Sequence, residues 1–519
     1  METKIEEKKE RFIHWRHIAF GAICALLALC MTQSSVSQIY TSLRSKKETP
    51  VIIVHGMGGS DLYRYPGTER ETLLKSAGLG NVFGTLITHR AFAKSIIKMM
   101  ASSEPEIDRK ELMDQLSEYA KSTEMNCDKN GNSDPDVGIN NYWTDSLSHH
   151  PEYFQKKGAG VVKIASQICK KVGAENVYAY NYDWRLDLYE SGQGLADYID
   201  VVRKNTDSDK VILVTDSLGG ATVSCYLDAH KKDNVLKRVV FIDCAFDGVD
   251  CSAVLSDGIN CNKEQEQKYL KRLGNALESG EFEALFLAAT SVFGGSLDNL
   301  SRNINGNAAD PELLKEIYLR VFRPLLGYIP TFWELLPYAN YKRAVHNMTK
   351  IGFLDPKSEL FDKIERYHKV QGRFHSNLKY IESHGVEVAI FANYGFPGIP
   401  ITPKSSKQTD ILIETEYASA GGTVAYTGKK LKKPLGDEKY FSPDMEIDAS
   451  TCALPDNTWF IKNIHHLGYS VDKEALQFIT DIAVGNTGTS IKKVKRKTGL
   501  GQFLYADSKQ RLRNVKKGD

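Results

Sequence analysis

The sequence predicts an α/β fold in which a doubly wound, mostly parallel sheet is interrupted by a large, mainly helical cap insertion. Three observations carry that prediction. Short apolar, β-branched runs at 50–54, 211–214 and 238–244 are separated by segments of helical periodicity. Two of these runs end in glycine-rich turns, HGMGGS after Val54 and DSLGG after Thr215. From residue 250 to about 385 strand character disappears, and it returns at 386–391.

The chain has 519 residues, 42% of them hydrophobic, enough for one large domain with insertions. A net charge of +2 excludes a polyelectrolyte, so no nucleic-acid partner is implied. The basic start at 1–17 leads into an uncharged, partly apolar stretch at 18–43, which reads as a signal-anchor or signal peptide. The expectation is an exported protein, anchored in a membrane or secreted, with the basic start in the cytoplasm. A basic tail at 489–519 is expected to be a solvated, partly unordered end, or a segment drawn to an anionic membrane. Between them the sheet domain divides into 48–250 and 386–488, with the cap at 251–385. Nine cysteines contain no CxxC pair, so no metal signature exists; Cys251 and Cys261 are close enough to staple a loop.

In order, the strand at 50–54 enters its glycine-rich turn, where crowded backbone N–H groups can hold a small negative charge. Residues 90–125 read as an amphipathic helix. The following CDKNGNSDPDVGINN imitates a calcium loop in Asp128, Asn130, Asn132 and Asp134 but lacks the glycine and glutamate such a loop needs, so a polar turn is favoured. A strand at 176–182 closes in YDWRLDL, and a helix with Leu195, Tyr198, Ile199 and Val202 on one face leads into the strand at 211–214. There Ser217 lies between strand and helix, the place where a sharp turn exposes a hydroxyl to a base. The match to G-x-S-x-G is partial, because Thr215 and Asp216 precede the serine. The N–H groups of Met57 and Leu218 would then form an oxyanion hole. A helix to about Lys231 and the strand at 238–244 continue the alternation. In the cap, IPTFWELLPY supplies apolar aromatic residues, for the core or for acyl chains. The last predicted helix, 472–483, follows IHHLGYS.

Taken together, PVIIVHG, YDWR, SLGG, IPTFWELLP, NYGFPGIPIT, GGTV and IHHLGY, in this order, resemble the lecithin:cholesterol acyltransferase family. The resemblance runs from about residue 50 to 483. It implies an α/β-hydrolase fold, Ser217 as nucleophile, His466 as general base with His465 as the neighbouring alternative, and Met57 and Leu218 as oxyanion donors. It implies that His55, Gly56, Asp183, Trp184 and Arg185 support the pocket. The expected substrates are a lipid or phospholipid acyl donor at a membrane surface and an alcohol or water acceptor, with no cofactor and no metal. The family's acid does not carry over, because Gly421 stands where an aspartate precedes G-T-V. Asp247 is the first candidate in its place, ahead of Asp243, Glu416 and Glu414. The chemical expectation is a lipid acyl-ester hydrolase or O-acyltransferase; the alternative is a lipid-binding protein on the same fold whose catalysis is lost.

Overall fold

The computed structural model describes residues 48–75, 125–155, 160–258, 318–399 and 407–519, with single positions 114, 117, 118, 315 and 316. The expected export segment at 18–43, nearly all of the helix expected at 90–125 and Cys261 lie outside the described residues. Among the described residues no helix is long and apolar enough to cross a membrane.

One sheet organises the fold. Its strands are β1 (Val51–Val54), β2 (Val177–Tyr180), β3 (Val211–Asp216), β4 (Leu236–Ile242), β5 (Glu387–Tyr394), β6 (Thr458–Lys462), β7 (Phe503–Ala506) and β8 (Leu512–Asn514). They lie in the order β8-β7-β6-β5-β4-β3-β1-β2, all parallel except the β7–β8 pair. From β1, next to one edge, the chain adds β2 outside it and then crosses over to lay down β3 to β8 in succession on the other side. A strand buried on both faces must be apolar throughout, which is why β1 reads VIIV. Its residues alternate between two cores: Ile52 and Val54 face one, Val51 and Ile53 the other.

The helices that cover these faces are α1 (Gly160–Val172), α2 (Leu188–Thr206), α3 (Gly219–His230), α4 (Tyr341–Lys350), α5 (Glu359–Gln371), α6 (Phe374–Ser383), α7 (Lys473–Val484) and α8 (Ile491–Thr498). Helices α1, α7 and α8 pack on the face of Val51; α2, α3, α5 and α6 pack on the face of Ile52. Asp472 caps α7 by accepting the Ala475 N–H at 2.9 Å.

The described part of the cap is helical and has its own core, in which Trp333, Leu336, Tyr341, Met348, Leu360 and Ile364 are buried. The apolar aromatic stretch at 329–338 is therefore mostly core, with Tyr338 exposed. In the calcium-like turn, Asp128 Oδ1 accepts the N–H groups of Asn130 and Asn132, both at 2.9 Å. The Lys363 ammonium of α5 donates to Asn130 O (3.0 Å), Gly131 O (3.2 Å) and Asn132 Oδ1 (2.6 Å), so a side chain occupies the cation's place. Cys251 carries a free thiol.

One expectation is corrected. The basic tail is not an unordered end: it folds as α8, β7 and β8, the last two extending the sheet. Its lysines mask a sparse apolar set, Val494, Phe503, Leu504, Ala506 and Leu512, all buried. These few side chains are enough because they add to a sheet edge that already exists.

Candidate active site

Ser217 follows the last residue of β3 with φ at +51°, a left-handed conformation that costs free energy in a residue with a side chain. The turn is held on both sides. Ser217 N–H donates to Ile242 O at 3.1 Å, and Ser217 O accepts the N–H of Ala245 at 3.1 Å and of Gly220 at 3.2 Å. Two glycines permit the approach of neighbouring chain. A Cβ on Gly56 would stand 2.7 Å from Ser217 Cβ, and one on Gly220 would stand 2.3 Å from Cys244 Cβ.

His466 lies beside the serine in the segment between β6 and α7. Its Nε2 is 3.1 Å from Ser217 Oγ and its Nδ1 is 2.7 Å from Asp410 Oδ2. With Nδ1–H donating to the Asp410 carboxylate, Nε2 is left to accept the hydroxyl proton. Asp410 is itself fixed, since its Oδ1 accepts the N–H groups of Leu412 (2.9 Å) and Ile413 (2.7 Å), and His466 N–H donates to its carbonyl at 2.6 Å. Both side chains of the pair are almost fully buried. Burial by itself lowers the imidazole pKa, but the facing Asp410 carboxylate, with Asp243 and Asp216 nearby, outweighs it and raises the pKa to about 9.

Sequence reasoning missed Asp410, and its first candidate for the acid is corrected. Asp247 does not reach His466; its Oδ2 lies 3.2 Å from His375 Nε2, on the first turn of α6. The reason is positional: the loop after β4 turns away from the serine at Gly248, packed so closely on the backbone of Leu335, Leu336 and Pro337 that a Cβ there would clash. Asp243 is buried and accepts the Asn393 backbone N–H at 2.7 Å, and burial together with Asp410 raises its pKa well above the ordinary carboxyl range. Glu414 accepts the Asp250 N–H at 2.9 Å, and Glu416 pairs with Lys407. Gly421 adjoins His375, not His466. The available signal for Asp410 was its place in chain order, after β5 and before the histidine.

The departures from G-x-S-x-G have a local cause. Asp216 Oδ1 accepts the Gly56 N–H at 2.9 Å and its Oδ2 accepts the Tyr469 hydroxyl at 2.9 Å, so the residue before Ser217 joins the β1 turn to the His466 segment. Burial raises its pKa. Leu218 is the residue between Ser217 and α3, and Met57 follows Gly56 on the turn after β1. His55 is buried under the turn, its Nδ1 2.7 Å from Gly56 O and its Nε2 2.7 Å from Ser60 Oγ.

YDWR braces this turn. The Tyr182 ring stacks on His55 at 4.5 Å and its hydroxyl donates to His55 O at 2.8 Å. Arg185, fully buried, donates through Nε and Nη2 to both oxygens of Asp183 (3.0 and 2.6 Å), to Met125 O at 3.0 Å and to Ser133 Oγ at 2.8 Å. The Trp184 carbonyl accepts from Thr331 of the cap at 2.8 Å. These residues join the turn after β1, the 125–133 loop and the cap. Among the described residues no cluster of side chains could hold a metal ion.

Residues 150–386 match the family model described as lecithin:cholesterol acyltransferase. That span contains Ser217, YDWR and the described cap, and ends before Asp410 and His466. No curated protein sequence matches the chain. Nine chains of solved structures do; one, described as the crystal structure of a Tle4–Tli4 complex, is 13% identical over 84% of this chain and 99% of its own, with a TM-score of 0.29.

Proposed function

On the match of residues 150–386 to the lecithin:cholesterol acyltransferase family, we propose that the chain is a member of that family and a serine-dependent lipid acyl-ester hydrolase or O-acyltransferase that works through an acyl-enzyme. The observation that carries this reading is the line from Asp410 through His466 to Ser217, with contacts of 2.7 and 3.1 Å. Ser217 Oγ attacks the ester carbonyl carbon while its proton passes to His466 Nε2. The N–H groups of Met57 and Leu218 hold the resulting oxyanion. The imidazolium returns the proton to the departing alcohol oxygen, leaving the acyl group on Ser217. A water or an alcohol then gives its proton to Nε2, attacks the acyl carbonyl, and releases an acid or a new ester. Asp410 holds the tautomer and stabilises the imidazolium in both halves.

The lecithin:cholesterol acyltransferase match supports a lipid acyl donor and acyltransferase or lipase-like activity. Export, anchored by or cleaved after the 18–43 segment, belongs to the same proposal and rests on that segment's composition. The alternative of a lipid-binding protein without chemistry rests on Gly421 in place of an aspartate and on Thr215 and Asp216 before the serine; the contact of Asp410 with His466 favours the catalytic reading. The test is covalent labelling by a fluorophosphonate probe together with turnover of a phospholipid and of an acylglycerol. Labelling of the wild-type chain that is absent in Ser217→Ala and strongly slowed in His466→Ala is expected. A folded wild-type chain that neither labels nor turns over an ester would overturn the proposal.

A further inference from the structure

A second feature of the catalytic edge is a loop that carries charge outward. Between 429 and 439 the chain places Lys429, Lys430, Lys432, Lys433 and Lys439 against only Asp437 and Glu438. The first four lysines are exposed and form no ion pair among the described residues. The run is flanked by Tyr426 and Leu435, which are 56% and 64% exposed. Apolar side chains this open gain nothing from the fold itself.

The base of the loop is tied to the carboxyl ends of two central strands. Tyr394, the last residue of β5, donates its hydroxyl to Asp444 at 2.9 Å. Lys462, the last of β6, pairs with Asp444 and Glu446, both at 2.9 Å. Leu431 N–H donates to Met445 O at 2.7 Å. On the other side Gln408 N–H donates to Ala425 O at 3.2 Å, two residues before Asp410. The lysines therefore stand on the same sheet edge as Ser217, and their support is the segment that holds the acid.

The other basic cluster, on α8, lies at the opposite edge. The segment entering α8 is held at the amino ends of β4 and β5: Arg238 donates to the carbonyls of Ile482, Ala483 and Gly485, and Asn457 joins Val388 to Thr489. The two clusters cannot meet one flat surface from the same side of the sheet.

We infer that the 426–435 loop docks this protein on an anionic lipid bilayer, with Lys429, Lys430, Lys432 and Lys433 against the head groups and Tyr426 and Leu435 in the interface, so that the edge bearing Ser217 faces the lipid. Lysines supply attraction to anionic head groups, and the tyrosine and leucine supply the apolar contact that a dissolved anion would not use. The inference rests on the lipid-ester reading of the site and names the surface at which that site meets its substrate.

The test is co-sedimentation of the full-length chain carrying Ser217→Ala with vesicles of phosphatidylcholine alone or with phosphatidylserine. Binding is read without turnover, so its outcome stands apart from the labelling result. The 18–43 segment contributes to both vesicle types, and the difference between them isolates the charge. Combined Lys429→Glu, Lys430→Glu, Lys432→Glu and Lys433→Glu should lower the extra binding to phosphatidylserine vesicles by roughly tenfold or more. The same reversal at Lys492, Lys493 and Lys495 on α8 should leave it within about twofold. Tyr426→Ser with Leu435→Ser should weaken binding to both vesicle types, and unchanged thermal melts certify the fold of each variant. The inference is overturned if the α8 reversal alone removes the binding or if neither reversal does. It is also overturned if the Tyr426 and Leu435 changes cost nothing while the lysine reversal does, which would make the loop a general anion surface, as for an acidic protein.

Discussion

His466–Asp410 and His375–Asp247 are both histidine–aspartate pairs at the carboxyl edge of the sheet. The first is buried with a 2.7 Å contact, its carboxylate locked by two backbone N–H groups, and a serine hydroxyl lies on its far nitrogen. The second is open, with His375 at 42% side-chain exposure, a 3.2 Å contact and an imidazole that adjoins Gly421. Residue type is therefore a poor guide to chemistry at this edge. What separates the pairs is exclusion of water and a carboxylate that cannot rotate, because both strengthen the field on the imidazole and keep its free nitrogen on target.

The largest test of that difference is the acid itself. Asp410→Asn should lower ester turnover by about ten-thousandfold without unfolding the chain, whereas Asp247→Asn should leave it within a few-fold. Steady-state kinetics on one soluble ester decide it, and a larger loss in the Asp247 variant would exchange the roles of the pairs. Next in size is the brace beneath the site. Arg185→Met leaves Asp183 buried without its cation and should cost about 3–5 kcal/mol in denaturant unfolding. A cost near zero would mean that YDWR does not hold the oxyanion turn.

The third test sharpens the electrostatic contrast. The raised His466 pKa means that kcat/KM should climb as the imidazolium loses its proton and level off above about pH 9. Asp410→Asn should move that limb to lower pH. Stability runs the other way: a raised folded pKa contributes stability that is complete below the unfolded histidine value, about 6.5, and is lost as pH rises through about 9. A limb that stays in place in Asp410→Asn would assign it to another group. Smallest is the open pair: His375→Ala should change turnover by less than about twofold and stability by under about 1 kcal/mol. A pronounced loss would give that pair a part in the site.

The strands were legible where burial on both faces forces an unbroken apolar run, as in VIIV of β1 and VILV, residues 211–214, of β3. Ser217 was legible because a strand, a serine and small residues in succession admit few geometries. Asp410 was not, since its role depends on a local turn that aims one carboxylate oxygen inward, and neither periodicity nor the G-T-V alignment reports aim. The G-T-V position led instead to Gly421, which the fold carries to the other histidine. The two tail strands were hidden for a different reason: lysine composition was averaged over a segment whose few apolar side chains are buried on both faces of the sheet, Phe503 and Val515 on one and Val494, Leu504, Ala506 and Leu512 on the other.

Helix α5 is held at two points. Lys363 fastens it to the 130–132 turn, and three residues further along Arg366 fastens it to Asp187 and Glu190 at the head of α2. Two cationic contacts less than one turn apart tie one helix to two separate segments, so α5 can shift only if both the 130–132 turn and the head of α2 shift with it.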